Sequence, residues 1–281
     1  MRAPIEDDIP AVVRLVSEQS PEPFDEAALR QEWTAPNVDL ERDARVEDGA
    51  YVLVEQLDPE RVWVDLQGAP SDELLDWAES CAGTRARKVF SGGWSTNRVV
   101  LDALERRGFR LVRHSQRMLI DLAEPSADPV WPEGIQVRSF EPGDEHVFYE
   151  LHQETFEDSW EPIREPYDEW AHWLLSPAAF VPDLWFLAHE AGEPVGIAIC
   201  HPHRARPDLG WVRILGVRRR WRRRGLGRAL LLNAFAELRR RGFASAGLGV
   251  DAESVTGAHR LYGDVGMHVA SRFDFYEKTA A

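Results

Sequence analysis

Apolar positions in the second half of the chain follow two periods. From Arg228 to Arg241 the spacing is helical: Leu231, Phe235 and Leu238 fall at i, i+4 and i+7, on one face. Arg239, Arg240 and Arg241 complement the dipole at the end of this helix, and Gly242 stops it. Asp144–Glu154 and Tyr167–Leu175 read as further helices, the second with Trp170, Trp173 and Leu174 on one side. Ile135–Ser139, Leu184–His189, Val195–Cys200, Trp211–Val217 and Ala246–Val250 read as strands. Glu190-Ala191-Gly192-Glu193 is a hairpin turn between two of them, and His259–Tyr262 lies in a short helix before Gly263. Strand, helices, antiparallel strands and then strand-helix-strand-helix-strand predict a mixed α/β sheet.

The first half echoes this order. Asn97–Phe109 reads as a helix with a glycine stop leading into a strand, and Ser254–Met267 reads the same way. Arg117–Ile120 then parallels Phe273–Tyr276 as a final strand. Such self-similarity predicts a duplicated unit. Prolines, small residues and acids between Ala123 and Gly134 mark a linker. The expected organisation is a lobe at 1–122, a linker at 123–134 and a second lobe at 135–281.

Composition narrows the function. The 281 residues carry a net charge of -15, which repels a phosphate backbone and argues against nucleic-acid partners. Cys81 and Cys200 are too few for a disulfide framework or a cysteine-based zinc site. No apolar run is long enough to span a bilayer, and acids stand near the N-terminus where a signal peptide needs an apolar stretch. The expected location is the cytoplasm, as a monomer or homodimer. Within this acidic chain, the arginines from Arg218 to Arg228 stand out.

They belong to Ile214-Leu215-Gly216-Val217-Arg218-Arg219-Arg220-Trp221-Arg222-Arg223-Arg224-Gly225-Leu226-Gly227-Arg228, a run from strand through basic loop into helix. Unpaired backbone N–H groups at a helix start form an anion site, and glycine lets a phosphate approach closely. The loop reads as a holder of phosphate or pyrophosphate. A solvated basic turn is the plain alternative. A dinucleotide loop is another, since Gly225-Leu226-Gly227 gives G-x-G and Asp251 ends the next strand. Leu230 stands where the third glycine belongs, however, and the loop follows an antiparallel hairpin. No Gly-Lys-Ser/Thr follows, so a P-loop is excluded.

Arg222-Arg223-Arg224-Gly225-Leu226-Gly227 resembles the Q/R-x-x-G-x-G/A pyrophosphate loop of the GNAT superfamily of N-acetyltransferases. Ser254–Met267 resembles that family's later N-x-x-x-A-x-x-L-Y-x-x-x-G-F segment, in the right order. The tandem arrangement resembles the two-lobed acetyltransferases of actinobacteria, mycothiol synthase among them. The first half has no R-x-x-G-x-G; its glycine cluster Ser91-Gly92-Gly93-Trp94-Ser95 lies before the wrong element, so that lobe is expected to be degenerate.

The resemblance implies acetyl-CoA as co-substrate and a small-molecule amine as acceptor. It implies that amides of Arg222, Arg223, Arg224, Gly225, Leu226, Gly227 and Arg228 hold the pyrophosphate. Backbone at Leu215, Gly216 and Val217 would pair with the pantetheine arm and polarise the thioester carbonyl. Tyr262 matches the tyrosine that protonates the departing thiolate, and Ser254 stands where the family has asparagine against the cofactor. Trp211 and Arg213 occupy the strand on which many relatives carry an acid. Arg213 is therefore expected to bind an anionic acceptor, with Trp160 as a wall of the same site. The base stays open among Asp208, Glu154, Glu157, Asp158, His201 and His203, and no metal is expected. A silent acetyl-CoA-binding or sensing protein is the alternative.

Overall fold

The computed structural model describes every residue except Pro23, Pro125, Ala178, Ala205, Val255, Thr256 and Ala281. Pro125 of the expected linker and Val255 and Thr256 of the second motif thus lie outside the described residues. The chain divides into two compact units, Met1–Gln116 with Ser271–Ala281, and Arg117–Ala270.

The first half runs α1 (Ile9–Gln19), α2 (Glu26–Trp33), α3 (Leu40–Asp43), β1 (Ala44–Glu47), β2 (Ala50–Asp58), β3 (Arg61–Gly68), α4 (Asp72–Gly83), β4 (Lys88–Trp94), α5 (Arg98–Arg106) and β5 (Arg110–Asp121). The second runs β6 (Ile135–Ser139), α6 (Glu145–Phe156), α7 (Tyr167–Leu174), β7 (Trp185–Glu190), β8 (Glu193–His203), β9 (Arg206–Val217), α8 (Leu226–Arg240), β10 (Ser245–Asp251), α9 (Ala258–Asp264) and β11 (His268–Thr279).

In the first unit the strand order is β1-β2-β3-β4-β11, with only β3–β4 parallel among these pairs. Phe273–Thr279 pairs with Lys88–Trp94, Tyr276 donates to Glu105 at 2.7 Å, and Lys278 meets Glu79 at 2.5 Å. The last strand is therefore grouped with the first half, whereas the sequence boundary keeps it with the second. Conversely, Arg117–Asp121 at the end of β5 belongs to the second unit, beside β10.

In the second unit β6, β7, β8 and β9 run antiparallel in order, and β10 lies parallel to β9. Helix α8 buries Leu226, Ala229, Leu230, Leu231, Leu232, Ala234, Phe235 and Leu238, a broader face than the three positions expected. It ends in a Schellman motif. Gly242, at φ 89°, donates to Arg239 O at 2.9 Å, and Phe243 donates to Leu238 O at 3.2 Å. No helix of the described residues is long and apolar enough to cross a membrane.

Candidate functional site

Strands β9 and β10 form a fork. They pair only at Leu209↔Ser245, Gly210↔Ala246 and Trp211↔Gly247. Beyond that point β9 continues to Val217 against β8 alone. The register on β8 shifts between Ile199↔Ile214 and Cys200↔Val212, which makes Arg213 the extra residue of a β-bulge. A bulge bends its strand and re-aims a side chain. Here it follows the last β9–β10 pair, so the edge of β9 that includes Leu215, Gly216 and Val217 is released from β10. Gly216 is required where it stands: a Cβ there would lie 2.3 Å from Thr155 Oγ1 on α6.

Past Val217 the chain turns into α8. Gly225 is the N-cap, at φ 85°, with no side chain capping the helix start. A Cβ on Gly225 would meet nothing within 4 Å, and one on Gly227 would be 3.6 Å from Leu261 and 3.8 Å from Val217. Packing alone would therefore admit a side chain at Gly227. Gly225 leaves open space before uncapped amides, the geometry an oxyanion needs, and Gly227 places no side chain beside it.

The arginine side chains do something else. Arg222 donates to Val217 O at 2.9 Å, Thr155 O at 3.1 Å and Asp158 at 2.5 Å. Arg219 also grips Asp158, and Arg218 pairs with Glu154 at 2.8 Å. Arg224 and Trp221 both donate to Glu190, at 3.0 and 2.8 Å. These four arginines shape the loop against α6 and β7. Arg223, at φ 63°, and Arg228 make no ion pair among the described residues. The guanidiniums of Arg219 and Arg222 hold Asp158 far below the usual carboxylate range, so it is no base at neutral pH.

Beside the fork lies a cavity of about 300 Å³ lined by Arg117, His152, Glu165, Trp173, Leu174, Trp211, Arg213, Ile214 and Gly249. All of these belong to the second unit. Its floor depends on missing side chains: a Cβ on Gly249 would lie 2.7 Å from Arg117 Nη1, and one on Gly247 would lie 2.7 Å from Trp211 Cζ3. The Arg117 guanidinium sits 5.9 Å from the Trp211 ring, at cation–π range. Arg213 faces the cavity with no hydrogen bond or ion pair among the described residues. Its side chain is exposed to solvent; surrounding protein atoms push the guanidinium pKa down, Glu165 pulls it up, and Arg204 and Arg117 push it down again.

His152 receives the indole N–H of Trp170 on Nδ1 at 3.1 Å. Burial, with help from Arg213, pushes its pKa down to about 4. The ring is thus neutral at pH 7, its proton is on Nε2, and its one lone pair is taken. It can donate but not accept.

Of the residues singled out in sequence, Arg213 lines this cavity and Trp160 does not. Ser254 sits in the turn after β10, with its carbonyl accepting Gly257 N–H at 3.2 Å. Tyr262 is 7% exposed, packed in the core cluster that also holds Leu226, Leu215 and Val217. Burial pushes its phenol up to about 12, and its hydroxyl makes no hydrogen bond among the described residues. Among the other acids and histidines considered, Glu154 is paired, Asp208 and Glu157 are exposed, and His201 turns Nδ1 to Pro202 O at 2.8 Å. Glu165, His152, Arg117, Trp173 and Gly249 carry no reading as site residues in the sequence. One signal was present: Gly247-x-Gly249 inside a strand marks close approach of other groups.

Residues 146–267 match the Acetyltransferase (GNAT) family. The chain is 37% identical over 173 residues to the mycothiol acetyltransferase of Thermobispora bispora, covering 57% of this chain and 55% of that one. It thus spans little more than half of that relative's length. A GCN5-related N-acetyltransferase from Sphaerobacter thermophilus is 32% identical, with a TM-score of 0.78 over 99% of this chain and 95% of that one. A tandem GNAT protein from the clavulanic acid biosynthesis pathway shares the fold at 12% identity, with a TM-score of 0.73 over 100% and 97%.

Proposed function

Since the chain belongs to the GNAT acetyltransferase family, we propose that its C-terminal lobe binds acetyl-CoA along the β9–β10 fork and acetylates a small-molecule amine held in the neighbouring cavity. The observation that carries this reading is the fork itself. The freed edge of β9 leads through the arginine loop to the uncapped start of α8.

The residues fit the cofactor. Open space at Gly225 and the missing side chain at Gly227 before the helix amides suit a pyrophosphate, and Leu215, Gly216 and Val217 offer backbone to an amide-bearing arm. Bound there, acetyl-CoA supplies an activated acetyl thioester, whose acetyl group ends as an amide while the thiol is released. Backbone N–H groups on the released stretch of β9 polarise the carbonyl. Tyr262 keeps its proton across the neutral range and gives it to sulfur as the C–S bond breaks.

The first lobe is assigned no cofactor. At α4, the counterpart of α8, Ser71 caps Leu74 N–H at 3.2 Å and Asp72 and Glu73 follow in the first turn. Glu47 accepts from Ser71 Oγ at 2.8 Å. That helix start is already satisfied and ringed by acids, which repel phosphate.

Release of free thiol from acetyl-CoA, followed as primary amines are added to the intact chain, tests the reading. Amine-dependent release is expected. A folded chain that binds acetyl-CoA yet releases no thiol with any amine would favour a sensing role instead.

A further inference from the structure

We propose that the acceptor is a zwitterionic amine of amino-acid size, whose anionic group is held by Arg213 and whose ammonium is held by Glu165. The proposal rests on the acetyl-transfer reading of the C-terminal lobe and names its substrate class.

Arg213 carries the argument. The β9 bulge turns it into the cavity, where it makes no hydrogen bond or ion pair among the described residues. The Arg213 guanidinium keeps its charge, is exposed to solvent and has no protein partner among the described residues, so an anion can reach it without displacing an internal contact. A bidentate carboxylate matches the guanidinium fork best.

The rest of the lining agrees. Arg117 adds a second cation, and its place over Gly249 is kept by the missing Cβ. His152 adds a neutral Nε2–H donor, because its Nδ1 is occupied by Trp170. Two cations and a donor face one carboxylate, Glu165, the only one among the described lining residues. The balance favours an anion in the greater part of the cavity and a cation at one spot. Trp173, Leu174, Trp211 and Ile214 offer an apolar wall for the acceptor's body. A volume of about 300 Å³ sits at the lower end of ligand pockets, which suits a molecule of this size.

The chemistry closes on these groups. Glu165 takes one proton from the ammonium, and the freed lone pair forms the new C–N bond. The C–S bond breaks, and sulfur takes the proton of Tyr262. The nitrogen, which still carries two protons, gives one to water as the amide forms; Glu165 then gives its proton to water and Tyr262 takes one from water, for a net release of one proton.

The test uses matched pairs that differ in charge: leucine and leucinamide, phenylalanine and phenylalaninamide, and phosphoethanolamine and ethanolamine. The intact chain should favour the anionic member of a pair by about 30-fold or more in kcat/KM, the scale of a charge-assisted hydrogen bond. In Arg213→Gln that ratio should fall to within about 3-fold of one, and Arg213→Lys should keep part of it. Trp173 and Trp211 provide a reading without cofactor. Leucine should change the intrinsic tryptophan fluorescence, leucinamide should not, and Arg213→Gln should weaken leucine binding by about 30-fold. Preference confined to the phosphate pair keeps the proposal and makes the anion a phosphate. Equal use of charged and neutral members overturns it, as does a ratio that survives Arg213→Gln. Binding of acetyl-CoA with neither member of any pair acetylated also overturns the class while leaving acetyl transfer standing. Failure to bind acetyl-CoA would remove the transfer reading, and the fluorescence titration would still decide the class.

Discussion

Replacing Gly225 and Gly227 together by glutamate is expected to weaken acetyl-CoA binding by about 10³-fold, or ~4 kcal/mol, while the chain still folds. Two carboxylates at the start of α8 would fill the open space before its amides and put negative charge where a pyrophosphate would sit. The cost to the fold is small for reasons visible at each position. At Gly227 an added Cβ reaches only ordinary contact distances, 3.6 and 3.8 Å. At Gly225 the left-handed φ of 85° costs a side chain ~1–2 kcal/mol. Calorimetry with acetyl-CoA, beside a urea midpoint for the same variant, measures both halves of the expectation. Affinity within about 10-fold of the parent would move the pyrophosphate elsewhere.

Tyr262→Phe is expected to lower kcat by about 10²-fold and to change the acetyl-CoA dissociation constant by less than about 3-fold. The substitution keeps the ring in its core cluster and removes a hydroxyl that bonds to no described residue. No buried partner is orphaned, so stability should hold. A tyrosine that served only to pack α9 would lose nothing measurable. Steady-state kinetics at saturating acetyl-CoA separates the two roles.

Local signals made much of the second unit legible. The i, i+4, i+7 spacing of Leu231, Phe235 and Leu238 located α8, and Gly225 and Gly227 located its open start. Both are properties of a dozen consecutive residues. The arginines were harder to read. Sequence shows a run of positive charge, but only the folded chain brings Asp158, Glu154 and Glu190 against Arg219, Arg222, Arg218 and Arg224. Those acids turn most of the run into internal braces.

The cavity was legible at one residue. Arg213 drew notice because it stood on a strand where an acid was expected. Glu165, His152, Arg117 and Gly249 come from the α6–α7 loop, α6, β5 and β10, and no spacing rule connects them. The grouping of the end strands was hidden for a related reason. Apolar residues at Phe273–Tyr276 and Arg117–Ile120 announce strands, but a strand pattern does not name its neighbour. The partner emerges only in the folded chain, where Phe273–Thr279 pairs with Lys88–Trp94.

Calorimetric titration of the intact chain with acetyl-CoA, read for stoichiometry as well as affinity, decides whether the C-terminal lobe alone holds the cofactor. One site per chain is expected, because α8 in the second unit starts uncapped, whereas α4 in the first is capped by Ser71 and ringed by acids. Two equivalent sites, or no binding by a folded chain, would contradict it.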